Sequence, residues 1–314
     1  MRKRATFLVL SVLFFVSCGK EKKSTEAAVK MQEFVINISS YAKNKNSNFC
    51  IIPQNGVEIA FTKADTSNGL NQAYLNAIDA YGVEGLFYGN EDSPDEYVLA
   101  MLQKIKKTEV LLVSDYLEDN SLIESAIVKN QNQGFLCFPR SKDDYNYNLI
   151  PDSVIHENSN NITQISEAKN YLYLISSNNF NSKEEMLSAI AHTNFDAVII
   201  DLFFNDEALT QQDLSSIREK ANGGKRLLIS YMDIGSAEKY RYYWKKGWSL
   251  GNPSWLKKKY KDYPDEIWVK YWDTDWQNII YGNENSYLDK VLNAGFDGVY
   301  LDNIEAYYFL YHKQ

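Results

Sequence analysis

A chain of 314 residues that is 45% hydrophobic can bury a full core, as one large domain or two small ones. Its formal net charge of −8 disfavours a nucleic-acid partner and weakly favours cationic ligands. It has only three histidines, no cysteine–histidine cluster at metal-ligand spacing and no glycine-rich phosphate motif, so no metal and no cofactor is expected.

The first element is a processing segment. Arg2-Lys3-Arg4 precedes an apolar stretch from Phe7 to Val16 that is too short to span a bilayer, so residues 1–17 read as a secretory signal. Phe15-Val16-Ser17-Cys18 resembles a bacterial lipoprotein box, which implies a lipidated Cys18 and a tether over residues 18–30. An ordinary secretion signal with an incidental cysteine is the competing reading. Lipidation would place the protein on the bacterial cell envelope, periplasmic or at the cell surface, held to the membrane by its N-terminus. Removing residues 1–17 takes away Arg2, Lys3 and Arg4 and leaves a formal charge of −11. Cys50 and Cys137 lie inside apolar runs and read as buried small hydrophobes rather than a disulfide.

From Met31 onward helix and strand alternate. Met31, Phe34, Val35, Ile38 and Tyr41 recur at helical spacing. Strand-like runs follow at Phe49–Pro53, Gly82–Tyr88, Val110–Ser114, Gly134–Phe138, Tyr171–Ile175, Ala197–Ile200, Arg226–Tyr231, Ile267–Trp272 and Gly298–Leu301. Amphipathic segments fill most connections, and Asn222-Gly223-Gly224 stops the one predicted over Leu209–Ala221. Near-continuous apolar strands alternating with helices imply an α/β fold with a parallel sheet covered on both faces. Nine candidate strands suit a single (β/α)8 TIM-type barrel over residues 31–314, with one strand peripheral. The stretch from Asn148 to Ala168 has no clear period and reads as a loop over the site or a peripheral strap.

Acidic residues stand where three strands end: Asp201, then Asp233 with Glu238, then Asp302. An unpaired carboxylate is costly to bury, and carboxyl ends of parallel strands are where ligands bind. Asp201, Glu238 and Asp302 are therefore the catalytic candidates. Glu238 has a competing role as capping partner of a short helix starting near Ser236, Asp233 reads as a bystander, and Glu305 as solvated. Candidate substrate contacts are Gln54, Asn55, Glu84, Tyr88, Asp115, Tyr116, Tyr231, Arg241, Trp272, Asp273 and Asn303, with Trp272 placed to stack on a sugar ring. Converging carboxylates in such a setting suit glycoside hydrolysis, which needs two carboxyl groups flanking the scissile bond.

Asn170–Ile175, Phe195–Asp201, Tyr231–Trp244, Val269–Asp273 and Gly295–Asp302 together resemble the endo-α-1,4-polygalactosaminidase-like glycoside hydrolases, also known as cysteinyl-tRNA-synthetase-related extracellular proteins. The resemblance implies a (β/α)8 barrel and a polysaccharide substrate, in some cases one containing amino sugar. Ile51–Gly56, Glu84–Tyr88 and Val113–Tyr116 also resemble that family, but there they follow the Tyr-Leu-Asp strand and here they precede it. A circularly permuted barrel is thereby implied, which the closeness of barrel termini allows. Two departures stand out: Ser236 where the family pattern carries a second acid, and Val269 where a glutamate is expected in the Trp-Asp strand. They leave a non-catalytic carbohydrate-binding barrel as the alternative.

Overall fold

The computed structural model describes residues 6–89 and 93–313, with side chains from Gly19 onward. The signal segment expected over 1–17 and the Cys18 side chain fall outside the described side chains. The first helix, α1, runs Thr6–Lys45, starting well before Met31. Residues 19–30, expected as tether, are helical as well, and Ser24, Ala27 and Ala28 are buried. Ala27, Met31, Phe34, Val35, Ile38 and Ala42 form one buried stripe at three- and four-residue spacing. Polar side chains tie that stripe down. Gln32 Nε2 donates to the carbonyls of Ile59 and Phe61 at 2.6 and 2.7 Å, and Ser24 Oγ donates to the Tyr307 carbonyl at 3.1 Å.

The strands are β1 (Cys50–Pro53), β2 (Ala80–Glu84), β3 (Val110–Tyr116), β4 (Leu136–Arg140), β5 (Tyr171–Leu174) and β6 (Ala197–Asp201). A short hairpin follows, β7 (Phe203–Phe204) and β8 (Glu207–Ala208), and then β9 (Leu227–Asp233), β10 (Ser236–Glu238), β11 (Leu256–Lys259), β12 (Glu266–Val269) and β13 (Gly298–Asp302). Between them run α2 (Gln72–Leu75), α3 (Glu96–Ile105), α4 (Ile123–Gln133), α5 (Lys183–Ala191), α6 (Gln211–Ile217), α7 (Thr274–Ile280), α8 (Tyr287–Ala294) and α9 (Ala306–Phe309). Local chemistry sets several of these limits. Asp95, Ser182, Thr210 and Ser286 each accept an amide of the first turn of α3, α5, α6 and α8. Gly134 and Gly295, in the left-handed region, end α4 and α8.

The chain is a mixed α/β protein with parallel sheets. One is ordered β1-β13-β9-β6-β5 and another β2-β3-β4. β1 continues toward β2 through a parallel bridge of Gln54 with Gly82 and a hydrogen bond from Asp79 N to the Ile51 carbonyl at 2.9 Å. Phe138 of β4 and Tyr171 of β5 have ring centroids 5.8 Å apart. Every residue of β1, β5 and β9 is buried, as expected for strands covered on both faces. Gly82 leaves room for an inward aromatic: a Cβ there would stand 2.0 Å from Tyr300 Oη.

Of the nine predicted strands, Ile267–Trp272 is the one outside the parallel sheets. Its first residues belong to β12, at the centre of an antiparallel sheet ordered β10-β12-β11. The stretch 148–168 is a strap. Asn158 bonds Asp196 (2.9 Å) and takes a bond from Lys220 Nζ to its carbonyl (2.8 Å), at the end of β6 opposite the acidic one.

Candidate functional site

At the carboxyl ends of the parallel strands opens a cleft of about 900 Å³. Asn55 and Glu84 line it just past β1 and at the end of β2, and Tyr116, Asp201 and Asp302 line it at the ends of β3, β6 and β13. The antiparallel sheet forms one wall and contributes Glu238 and Glu266.

Arg241 organises the first group of acids. Its guanidinium grips Asp201 in two hydrogen bonds, Nη1 to Oδ1 at 2.8 Å and Nη2 to Oδ2 at 2.7 Å. Its other edge holds Glu238, Nε to Oε2 at 2.6 Å and Nη2 to Oε1 at 3.0 Å. Bidentate, charge-assisted contacts of this kind are among the stronger hydrogen bonds and fix both carboxyl groups in place. Tyr240 adds a donor to Glu238 Oε1 at 2.5 Å, and Glu238 is 2% exposed. Glu238 lies on β10, so the helix expected near Ser236 does not form and the capping role falls away.

A second group has no cation of its own. Antiparallel pairing of β10 with β12 sets Glu266 directly opposite Glu238, on the same face of the sheet. Glu266 Oε2 lies 2.7 Å from Ser236 Oγ, and that same hydroxyl oxygen lies 2.6 Å from Asp233 Oδ2. Asp233, far from a bystander, is 1% exposed and accepts from Gly235 N (2.9 Å), Ser236 N (2.8 Å) and Asn303 Nδ2 (2.6 Å) as well. Burial, then the neighbouring Glu238, pushes the Glu266 carboxyl up to about 8. Asp302 is pushed up to about 6, by burial first and then Glu84, while Tyr231 Oη donates to its Oδ2 at 2.5 Å.

The remaining predicted contacts divide. Asn55, Glu84, Tyr116, Tyr231, Arg241 and Asn303 line the cleft with the three catalytic candidates. Glu305, read as solvated, lines it too and is half-buried. Gln54 is buried at 1% and accepts from Tyr173 Oη at 3.1 Å. Asp115, fully buried, accepts from the amides of Phe87 and Tyr88 at 2.8 and 3.1 Å and from Asn130 Nδ2 at 2.8 Å. It thereby holds the loop after β2 against α4. Tyr88 turns to α4, its hydroxyl 3.0 Å from Ser125 Oγ and its ring beneath Lys129. Trp272 packs under Lys30 of α1, and Asp273 caps α7 and pairs with Lys270 at 3.2 Å, so both stand away from the cleft.

Sequence reasoning missed Glu266 and the tyrosines of the rim. Glu266 stands in the Trp-Asp strand, three residues before the Val269 at which a glutamate was expected, and only its pairing with β10 brings it to Glu238. Tyr145, Tyr240 and Tyr263 are 59%, 57% and 51% exposed at the cleft's edge, flat faces suited to stacking on a sugar. The tryptophans serve the interior instead: Trp244, Trp248, Trp255 and Trp276 form a chain of ring contacts with centroids 5.0–5.5 Å apart.

A family model described as glycoside-hydrolase family GH114 matches residues 156–314. An uncharacterised protein of Deinococcus radiodurans is 42% identical over 121 residues, 38% of this chain and 37% of that protein. Uncharacterised proteins of Methanocaldococcus jannaschii and Thermotoga maritima are each 33% identical, over 150 and 118 residues. These alignments cover 48% and 38% of this chain, and 41% and 35% of those proteins. The chain thus spans about two fifths of the length of the curated relatives it matches.

Proposed function

The chain belongs to glycoside-hydrolase family GH114, and from that premise we propose that it hydrolyses a polysaccharide with Glu266 as general acid and Asp201 as the second carboxyl group. One observation carries this: Arg241 clamps Asp201 and Glu238, whereas Glu266 forms no ion pair among the described residues. An acid on duty at neutral pH must hold a proton, and a carboxylate gripped by a guanidinium does not. Of the three candidates read from the strand ends, this proposal keeps Asp201 at the reaction and gives Glu238 and Asp302 supporting places. Glu266 gives its proton to the glycosidic oxygen as the bond to the sugar breaks. Asp201, the less buried of the two clamped acids, serves as base or nucleophile at the opening sugar carbon. Asp302, held by Tyr231, orients the substrate.

The lining acids Glu84, Asp201, Glu238, Asp265 and Asp302 stand against Arg140 and Arg241, a balance that favours a cationic polymer such as one bearing free amino sugars. Two features support a closed (β/α)8 barrel: the first strand pairs with the last, and β4 meets β5 through aromatic rings. Its circular permutation rests on the order of the family-like segments in the sequence. Attachment to the bacterial envelope through Cys18 completes the proposal; its support is the lipoprotein-like run Phe15–Cys18.

The test compares Glu266→Gln on an amino-sugar polymer and on a glycosyl fluoride, whose leaving group needs no proton. Loss of about 10²–10⁴ on the polymer with activity kept on the fluoride is expected. An unchanged rate on the polymer refutes the assignment of Glu266. Wild-type protein that binds polymer without cutting it supports a carbohydrate-binding barrel instead.

A further inference from the structure

Ser236 Oγ lies within hydrogen-bond distance of two carboxylates at once, 2.6 Å from Asp233 and 2.7 Å from Glu266. A serine hydroxyl carries one proton, so it can donate in only one of those directions. In the other it must accept, and at that short distance it faces a carboxyl oxygen, which must then carry a proton itself. The Asn303 amide, at 3.4 Å, is a longer second donor to the same hydroxyl. The pair Asp233 and Glu266 therefore holds one proton between them, and Ser236 joins them.

Which end keeps it follows from the remaining donors. Burial, then Glu266, Glu238 and Asp302, push the Asp233 carboxyl up as well. Against that push it accepts two backbone amides and the Asn303 amide in addition to the hydroxyl, all of which favour its charge. For Glu266 no further donor is found among the described residues. We infer that Ser236 and Asp233 are positioning residues that keep the proton on Glu266: Asp233 carboxylate accepts from Ser236, and Ser236 in turn accepts from the Glu266 acid. This rests on Glu266 being the general acid. It also gives a role to Ser236, which the family resemblance marks as a lost acid. A second carboxylate at that position would repel Asp233 and Glu266, whereas a hydroxyl couples them.

The other groups facing Glu266 work in both directions. Glu238 on β10 and Asp302 on β13 favour its protonated form, and Arg241 opposes it. Tyr231 on β9, Tyr240 past β10, and Tyr260 and Tyr263 ahead of β12 are neutral neighbours within electrostatic reach. None of these shares a proton with Glu266, so removing Ser236 isolates the coupling.

Two readouts test this on the full chain. In wild type at neutral pH, infrared difference spectra against Glu266→Gln are expected to show a protonated carboxyl band. In Ser236→Ala that band and the alkaline limb of kcat/KM both move about one pH unit lower, the worth of one hydrogen bond. Ser236→Cys, with a weak acceptor of similar size, gives the same direction of shift should the alanine variant fail to fold. A limb and band that stay in place in the serine variants overturn the coupling while leaving Glu266 as acid. No protonated carboxyl band in wild type overturns the coupling as well, and a fully active Glu266→Gln instead overturns the reading on which it rests.

Discussion

Arg241→Met removes the charge shared by Asp201 and Glu238 while keeping most of the side-chain stem. The guanidinium side chain is 6% exposed, so water does not replace it freely. Two carboxylates are then left facing each other, and the cheapest relief is for one to take up a proton. A free glutamate titrates near ~4.3, so holding it protonated at pH 7 costs ~3.7 kcal/mol, from about 1.36 kcal/mol per pH unit. At pH 5 the same protonation costs only ~1 kcal/mol. In the variant the folded-state pKa of that carboxyl stands above its unfolded value. Its contribution to stability is thus complete below the unfolded pKa and lost as pH rises through the folded one. The stability deficit relative to wild type should therefore shrink by roughly 2.7 kcal/mol between pH 7 and pH 5. Urea unfolding of both proteins at the two pH values reads this directly. A deficit of equal size at both would refute the reasoning, and would assign Arg241's contribution to packing on Phe203, Tyr240 and Tyr287.

Gly235→Ala places a Cβ 1.9 Å from the Asn303 carbonyl oxygen, a backbone atom that cannot swing aside. A loss of ~1–3 kcal/mol in thermal unfolding is expected, with a fall in kcat as Asn303 releases Asp233. Tyr263→Ala should raise KM for polymer about three- to tenfold by removing a stacking face, measured in initial-rate kinetics. Trp272→Ala, beneath Lys30 of α1, should leave KM unchanged and cost only stability.

The sequence carries those parts of the fold and site that depend on local pattern. Eight parallel strands announce themselves as apolar runs, and Asp201 and Asp302 close two of them, so their place at the cleft needs only the direction of the strand. Glu266 is different. It opens β12 after Asp262-Tyr-Pro-Asp265, where it reads as one more polar loop residue, and only antiparallel pairing with β10 makes it a neighbour of Glu238. Nothing within a few residues encodes that pairing. Trp272 and Asp273 erred the other way, because an aromatic followed by an acid looks like a binding face while helix α7 needs the same acid as its cap. Asp115 stands on a strand end like Asp201, yet points at two backbone amides and Asn130. Strand position alone does not tell a ligand contact from a loop anchor.

The pairing of β1 with β13 also fixes an order of events. The first strand made has the last as its neighbour, so the apolar edge of Cys50–Pro53 stays uncovered until Gly298–Asp302 has been synthesised. Contacts this distant in sequence are closed late and slowly. Under the export proposed above, such a chain crosses the membrane before it can lock, and its first strand is the segment a chaperone must shield longest.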